Sequence, residues 1–294
     1  MIMTTQIASV NLTNTSNSSR ATTAQPRSTD SGLSTTQLRL TEEDREELRT
    51  LRQNLKAITL HLWGTILDDH HPPADTILYS ARRQQFLLKE LQRLGYPVAP
   101  DAIEATYKHA WECFDDLWRQ QIAFGAEEGV RAMLQYLKVE LPDETRGKIV
   151  RFFEEMESPP LPLNGVVPAI QALAQRYSLG LISDTAWTPG RVLRRVLADY
   201  QMLDCFRVLV FSGEVGRTKP HPELFQKALR ALSVNPEECL HVGDLQHTDI
   251  AGAKALGMRT AWIHRPIYAG ENQKDHSPDL VVSGVAELAE LLLA

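Results

Sequence analysis

Five polar residues stand in short, distinctive stretches: Ser183 in LGLISDT, Lys219 in GRTKPHPELF, Asp244 and Asp249 in HVGDLQHTDIAGAKALG, and His61 at the end of AITLH. Together they suit one chemistry. Two carboxylates in a cleft fit a hard divalent cation such as Mg²⁺, which takes oxygen ligands at about 2.0–2.1 Å and keeps several waters. A lysine supplies a fixed positive charge for a phosphoryl oxygen, and a serine hydroxyl donates to another. An imidazole is a competent nucleophile near neutral pH. Phosphoryl transfer needs little beyond such positioning, charge stabilisation and a nucleophile.

These side chains are distant in sequence, so the fold must gather them. From about residue 159, short apolar runs (178–183, 208–212, 239–243, 259–263 and 280–282) alternate with helical segments (about 166–176, 189–201, 221–233, 248–256 and 284–293). That alternation predicts βαβ units and a parallel sheet covered on both faces. Residues 57–62 supply a first strand. Four amphipathic helices, about 75–95, 101–122, 127–139 and 143–156, separate it from the rest, with turns at Gly95-Tyr96-Pro97, Gly125 and Leu141-Pro142. The expected fold is α/β, a Rossmann-like doubly wound parallel sheet with an inserted all-helical cap. The expected division is a disordered tail over 1–36, an N-terminal helix over 37–55 with Thr41 as its cap, a core of 56–70 and 159–294, and a cap over 71–158. In open α/β sheets ligands sit at the carboxyl ends of the strands. That rule brings His61, Ser183, Lys219 and Asp244 to one place.

Composition narrows the partners. A net charge of -6 and a pI near 5.9 give no electrostatic footprint for nucleic acid or an anionic membrane. No apolar run approaches the roughly 18 residues of a membrane span. Cys113, Cys205 and Cys239 lie far apart, without disulfide or zinc spacing, and a cytoplasmic location is expected. The first 36 residues, rich in Ser, Thr, Asn and Gln, lack a periodic apolar face. Their sequons at Asn11, Asn14 and Asn17 are read as accidents of that composition.

The order of these stretches closely resembles the haloacid dehalogenase superfamily with a C1-type helical cap, over about residues 55–294. The resemblance implies phosphate contacts from Ser183, Lys219 and Thr65, and a Mg²⁺ site at Asp244 and Asp249. The family's first motif, DxDxT, is matched by HLWGT: His61 occupies the place of the nucleophilic aspartate and Trp63 that of the acid/base. The first replacement removes the nucleophile and a metal ligand together, which weakens the Mg²⁺ site. Trp63 cannot transfer a proton.

The implied ligand is a small phosphorylated metabolite or an inorganic anion, held in a retained pocket with catalysis impaired or absent. The alternative is an active phosphatase using His61 or another group as nucleophile. A dehalogenase reading fails on the same missing aspartate. Among neighbouring groups, Asp68 and Asp69 read as solvated or capping, and Asp184 as turned away from the pocket. His70 and His71 read as loop or hinge, and His221 and His247 as pocket or helix-start residues. Trp111, Phe114 and Trp118 read as cap core, and Trp187 as a pocket residue.

Overall fold

The computed structural model describes residues 42–68, 79–265 and 276–294. The expected tail, the Thr41 cap, Asp69, His70 and His71 lie outside them. Six strands, β1 (Ala57–Leu60), β2 (Ser178–Ser183), β3 (Phe206–Phe211), β4 (Cys239–Gly243), β5 (Arg259–Ile263) and β6 (Leu280–Val282), form one sheet in the order β3-β2-β1-β4-β5-β6. All neighbours are parallel. The order reverses between β1 and β4, and such a switch point opens a crevice at the carboxyl ends of the strands.

Helix α1 (Glu42–Asn54) leads into β1. Four helices, α2 (Tyr79–Arg93), α3 (Pro100–Arg119), α4 (Ala126–Tyr136) and α5 (Asp143–Glu154), come next, before β2. The later strands are interleaved with α6 (Val166–Ala174), α7 (Gly190–Asp199), α8 (Ser212–Val215), α9 (Pro222–Leu232), α10 (Ala251–Lys254) and α11 (Val285–Leu293). Among the described residues no helix is long and apolar enough to cross a membrane.

Side chains alternate across a strand, so β1 serves two faces. Ile58 and Leu60, with Leu62 just beyond, join Leu179, Leu181, Leu240 and Val242 beneath α6, α7 and α11. Ala57 and Cys239 face α9 in a second cluster. Each fully buried Leu or Ile contributes roughly 1.5–3 kcal/mol, and two such faces hold β1 rigidly in the middle of the sheet. That rigidity fixes the position of His61, which the chain carries one residue beyond the strand.

The helical insertion has its own apolar centre, built from Leu87, Leu91, Ile103, Tyr107, Phe124, Val130, Met133, Ile149 and Phe153. Trp187, from the loop after β2, completes that centre and is 3% exposed. This corrects the expectation that Trp187 lines the pocket. Its large ring gains more by packing against Tyr107, Trp111, Phe124 and Phe153 than by facing the site. Gly129 makes the room, since a Cβ there would lie 2.2 Å from Trp187 Cζ3. Trp111 and Phe114 pack against the same centre, whereas Trp118 meets His247 on the core side, rings 5.5 Å apart.

Two boundaries also differ from expectation. β3 begins at Phe206, and Ser212 opens α8 instead of ending the strand. The segment expected to be a helix from 248 starts as a π-turn, Gln246–Ile250, before α10. A widened turn of this kind often marks a functional position, and it carries Asp249.

Candidate functional site

β1 delivers His61 one residue past its end, where His61 N donates to Val242 O at 2.8 Å. Register pairs Leu60 with both Leu181 and Val242, so the ends of β2 and β4 lie on either side of it. The imidazole is 6% exposed. Lys219, in the loop before α9, reaches it from the side: Nζ lies 2.8 Å from His61 Nδ1 and 2.5 Å from Asp249 Oδ1. Nδ1 also lies 3.4 Å from the Ile182 carbonyl, but an ammonium has protons to give and no lone pair, so at the shorter contact His61 Nδ1 accepts and Nε2 carries the ring proton. Burial, then the Lys219 charge, lowers the His61 pKa to about 3. The ring is therefore neutral at physiological pH, with its Nε2–H turned toward Asp244 Oδ1, 3.9 Å away.

The chain of contacts continues into the sheet. Asp249 Oδ1 lies 3.3 Å from His241 Nε2, and His241 Nδ1 lies 2.9 Å from Thr59 Oγ1. Thr59 and His241 are paired residues of β1 and β4, both fully buried. Burial lowers the His241 pKa, so its ring is neutral, donates to Asp249 and accepts from Thr59. Burial alone would push the Asp249 carboxyl up, but the Lys219 charge and its hydrogen bonds hold it well below the usual carboxylate range. Its Oδ2 accepts the backbone N–H of Leu245 at 3.1 Å. Gly243 leaves space for that carboxylate, which a Cβ would meet at 2.3 Å.

The other expected residues gather around this chain. Ser183 is fully buried at the end of β2 and donates to the Asp184 carbonyl at 3.1 Å. Thr65 Oγ1 donates to Asp244 Oδ1 at 3.4 Å. Asp244, at the end of β4, is 2% exposed, and its carbonyl accepts from Trp262 Nε1 at 2.9 Å. Trp63 is half-buried and packs its ring on the sheet core. Asp184 turns its carboxyl to the backbone N–H of Lys219 at 3.0 Å and so pins the lysine loop, with its pKa raised to about 6 by burial. His221 caps α9 by accepting from Glu223 N at 3.3 Å. Asp68 lies 3.8 Å from Arg265.

Whether these groups suit Mg²⁺ is a question of donors. Among the described residues, no three His, Cys, Asp or Glu side chains converge as a cation would require. Asp249 is committed to Lys219, and His61 presents a nitrogen and a proton where an oxygen is wanted. A Cβ on Gly64 would lie 2.5 Å from Asp244 Oδ2 and 3.0 Å from a guanidinium nitrogen of Arg265, so carboxylate and guanidinium flank the same backbone position. The residues present do not fit a Mg²⁺ site.

Sequence reasoning missed His241 and Arg265. The first could have been found from β4 alone, because Leu240 and Val242 alternate with Cys239, His241 and Gly243, which puts a histidine on the face that carries His61. Arg265 had no comparable signal. The described residues also line a shallow cleft of about 430 Å³ between Lys56, Gln226, Arg230, Asn235 and Glu238. It opens at the amino ends of β1 and β4, away from this chemistry.

Comparison with known proteins supplies the family. The haloacid dehalogenase-like hydrolase family matches residues 55–257. The chain is 36% identical over 153 residues to a phosphoserine phosphatase of Thermus thermophilus, covering 51% of this chain and 59% of that one. It is 36% identical over 117 residues to a glyceraldehyde 3-phosphate phosphatase of Pyrococcus furiosus, covering 40% and 48%. The chain thus spans about half the length of the curated relatives it matches. Among solved structures, a 2-haloacid dehalogenase from Pseudomonas syringae pv. Tomato superposes with a TM-score of 0.58 at 24% identity, over 81% of this chain and 98% of that one. A HAD phosphatase from Thermococcus onnurineus gives 0.54 at 22%, over the same shares. At such identities the superpositions speak for the fold alone. With the family match covering the core strands and the helical insertion, the chain belongs to the haloacid dehalogenase-like hydrolases.

Proposed function

We propose that this protein binds a small phosphorylated metabolite, or an inorganic anion, at the carboxyl ends of β1, β2 and β4, without forming an aspartyl phosphate. The observation that carries this reading is the 2.8 Å contact of Lys219 Nζ with His61 Nδ1. It makes the imidazole a neutral donor at Nε2, a group that holds a phosphoryl oxygen and does not attack phosphorus. Lys219 supplies charge, Ser183 and Thr65 supply hydroxyls, and Arg265 stands beside Asp244, the position at which the family's cation is expected. On this reading anion binding needs no Mg²⁺. Isothermal titration with inorganic phosphate, with and without Mg²⁺, tests it: equal affinity in both supports the reading, and binding only with Mg²⁺ sinks it.

The alternative is phosphomonoester hydrolysis with His61 as nucleophile. Two observations favour it: the relatives above are named phosphatases, and the ring is in its free-base form. Attack would require the Nε2 proton to move first, to Nδ1 or to Asp244. The intermediate would be a phosphohistidine, stable in alkali and labile in acid. An alkaline quench during turnover of a phosphomonoester panel, with His61→Ala beside the wild type, separates the two readings. Labelled His61 and loss of turnover in His61→Ala would establish hydrolysis and displace the first reading.

A further inference from the structure

β1 and β4 carry a polar pair through the middle of the sheet. Thr59 and His241 are partners in register, both fully buried, and by alternation they share the face of Ala57 and Cys239 that α9 covers. Phe225 of α9 meets the His241 ring with centres 5.1 Å apart and planes at 81°. Gly252 gives Phe225 its place, since a Cβ there would lie 2.5 Å from Phe225 Cε2. Two apolar side chains would fill these positions with no need of partners, whereas buried polar groups are costly unless paired. Here every polar atom of the pair is bonded: Thr59 Oγ1 to His241 Nδ1 at 2.9 Å, and His241 Nε2 to Asp249 Oδ1 at 3.3 Å.

The protons along this line have one arrangement. An ionised carboxylate only accepts, so His241 Nε2 and Lys219 Nζ both donate to Asp249 Oδ1. The neutral His241 ring then accepts at Nδ1, and Thr59 donates. Asp249 Oδ2 accepts from Leu245 N, so three donors on two oxygens fix both the place and the plane of the carboxylate. Lys219 is aligned by that carboxylate at 2.5 Å and by His61 Nδ1 at 2.8 Å. An ammonium has three protons. Two are engaged by Asp249 and His61, and their directions set that of the third. A buried network is stiff when every member is satisfied. Loss of the His241 donor leaves Oδ1 with Lys219 alone and lets the carboxylate turn about its last bond, and the ammonium turns with it.

We infer that Thr59 and His241 are positioning residues for the anion site: they hold the Asp249 carboxylate in one orientation and so direct the remaining N–H of Lys219 at a bound phosphoryl oxygen. Neither side chain touches the ligand. The inference rests on the phosphate-binding reading above and extends that site inward, from Lys219 to the middle of the sheet.

Two substitutions of one residue separate positioning from packing. In His241→Gln the amide reaches the place of Nε2 and keeps a donor for Asp249. In His241→Asn it stops at the place of Nδ1, where it pairs with Thr59 and leaves Asp249 without that donor. Inorganic phosphate is titrated calorimetrically into the full chain of each, and the nitrogen-15 resonance of His61 Nδ1 is read beside it. His241→Asn binds about 10-fold more weakly, the scale of one hydrogen bond to a charged group, and its His61 Nδ1 resonance moves. His241→Gln stays within about 3-fold of wild type, with the resonance in place. If His241→Asn does not fold, Thr59→Val with His241→Leu removes both polar groups together and stands in for it. Wild-type affinity in the variant that lacks the donor, or equal losses in both His241 variants, overturns the positioning role and leaves the phosphate reading standing. If the wild type binds no phosphate, that reading falls and the His61 resonance decides alone: movement in the variant that lacks the donor upholds the positioning of Lys219, and no movement overturns it.

Discussion

Replacing Lys219 by methionine tests whether the buried chain behind the site is held by charge. Lys219 and Asp249 are 1% and 0% exposed and 2.5 Å apart. Removing one partner of such a pair leaves a charge buried with little compensation and costs about 3–5 kcal/mol. For an ordered region of this size that is on the order of 10 °C in Tm. The pH dependence carries the mechanism. In the wild type the Asp249 pKa is depressed, so its contribution is present above the unfolded value near 4 and is lost only as pH falls through the lower folded value. In Lys219→Met the burial that opposes ionisation loses its main counterweight and the carboxyl pKa rises. Stability of the variant then falls as pH climbs from about 4, and the gap to wild type narrows in acid. The double variant Lys219→Met with Asp249→Asn removes both charges and recovers at least half of the loss. Scanning calorimetry between pH 4.5 and 8 reads all three proteins. A loss below about 1 kcal/mol, or a double variant no better than the single one, would refute the reasoning.

Three other substitutions draw on the same geometry. Asp184→Asn keeps an acceptor for Lys219 N but removes a carboxyl whose folded pKa of about 6 exceeds its unfolded value. Wild-type stability therefore declines between pH 4 and 6 by up to about 3 kcal/mol, and calorimetry of the variant shows that decline flattened. Trp187→Ala empties the centre of the insertion and costs about 3–5 kcal/mol, with hydrogen exchange accelerating in α3, α4 and α5 more than in β1 and β4; uniform acceleration would contradict the packing described. Gly64→Ala places a Cβ at a backbone φ of 67° and within 2.5 Å of Asp244 Oδ2. It costs about 1–3 kcal/mol in chemical denaturation.

How far the sequence reaches depends on the range of the interaction. Strand and helix periodicity is local, and the sheet order obeys alternation and connection rules, so the sequence alone leads one to expect His61, Ser183, Lys219 and Asp244 together. What periodicity does not carry is which partner each polar atom chooses. The sequence points Lys219 at a phosphoryl group, yet its ammonium is bound to His61 and Asp249, because burial penalises a lone charge more than a shared one. Trp187 reads as a pocket residue, and it is drawn into the apolar centre of the insertion by four aromatic neighbours contributed from three segments. His241 and Arg265 carry no motif. Their significance lies in what surrounds them in space.

The claim on which the functional reading depends is the tautomer of His61. Nitrogen-15 NMR of the histidine-labelled protein, with His61 identified by its absence in His61→Gln, reads it directly. A pyridine-type Nδ1 and a protonated, pyrrole-type Nε2, with no titration between pH 5 and 8, is the predicted result. A free Nε2, or a ring that protonates near pH 6.5, would contradict the account and return His61 to the role of nucleophile.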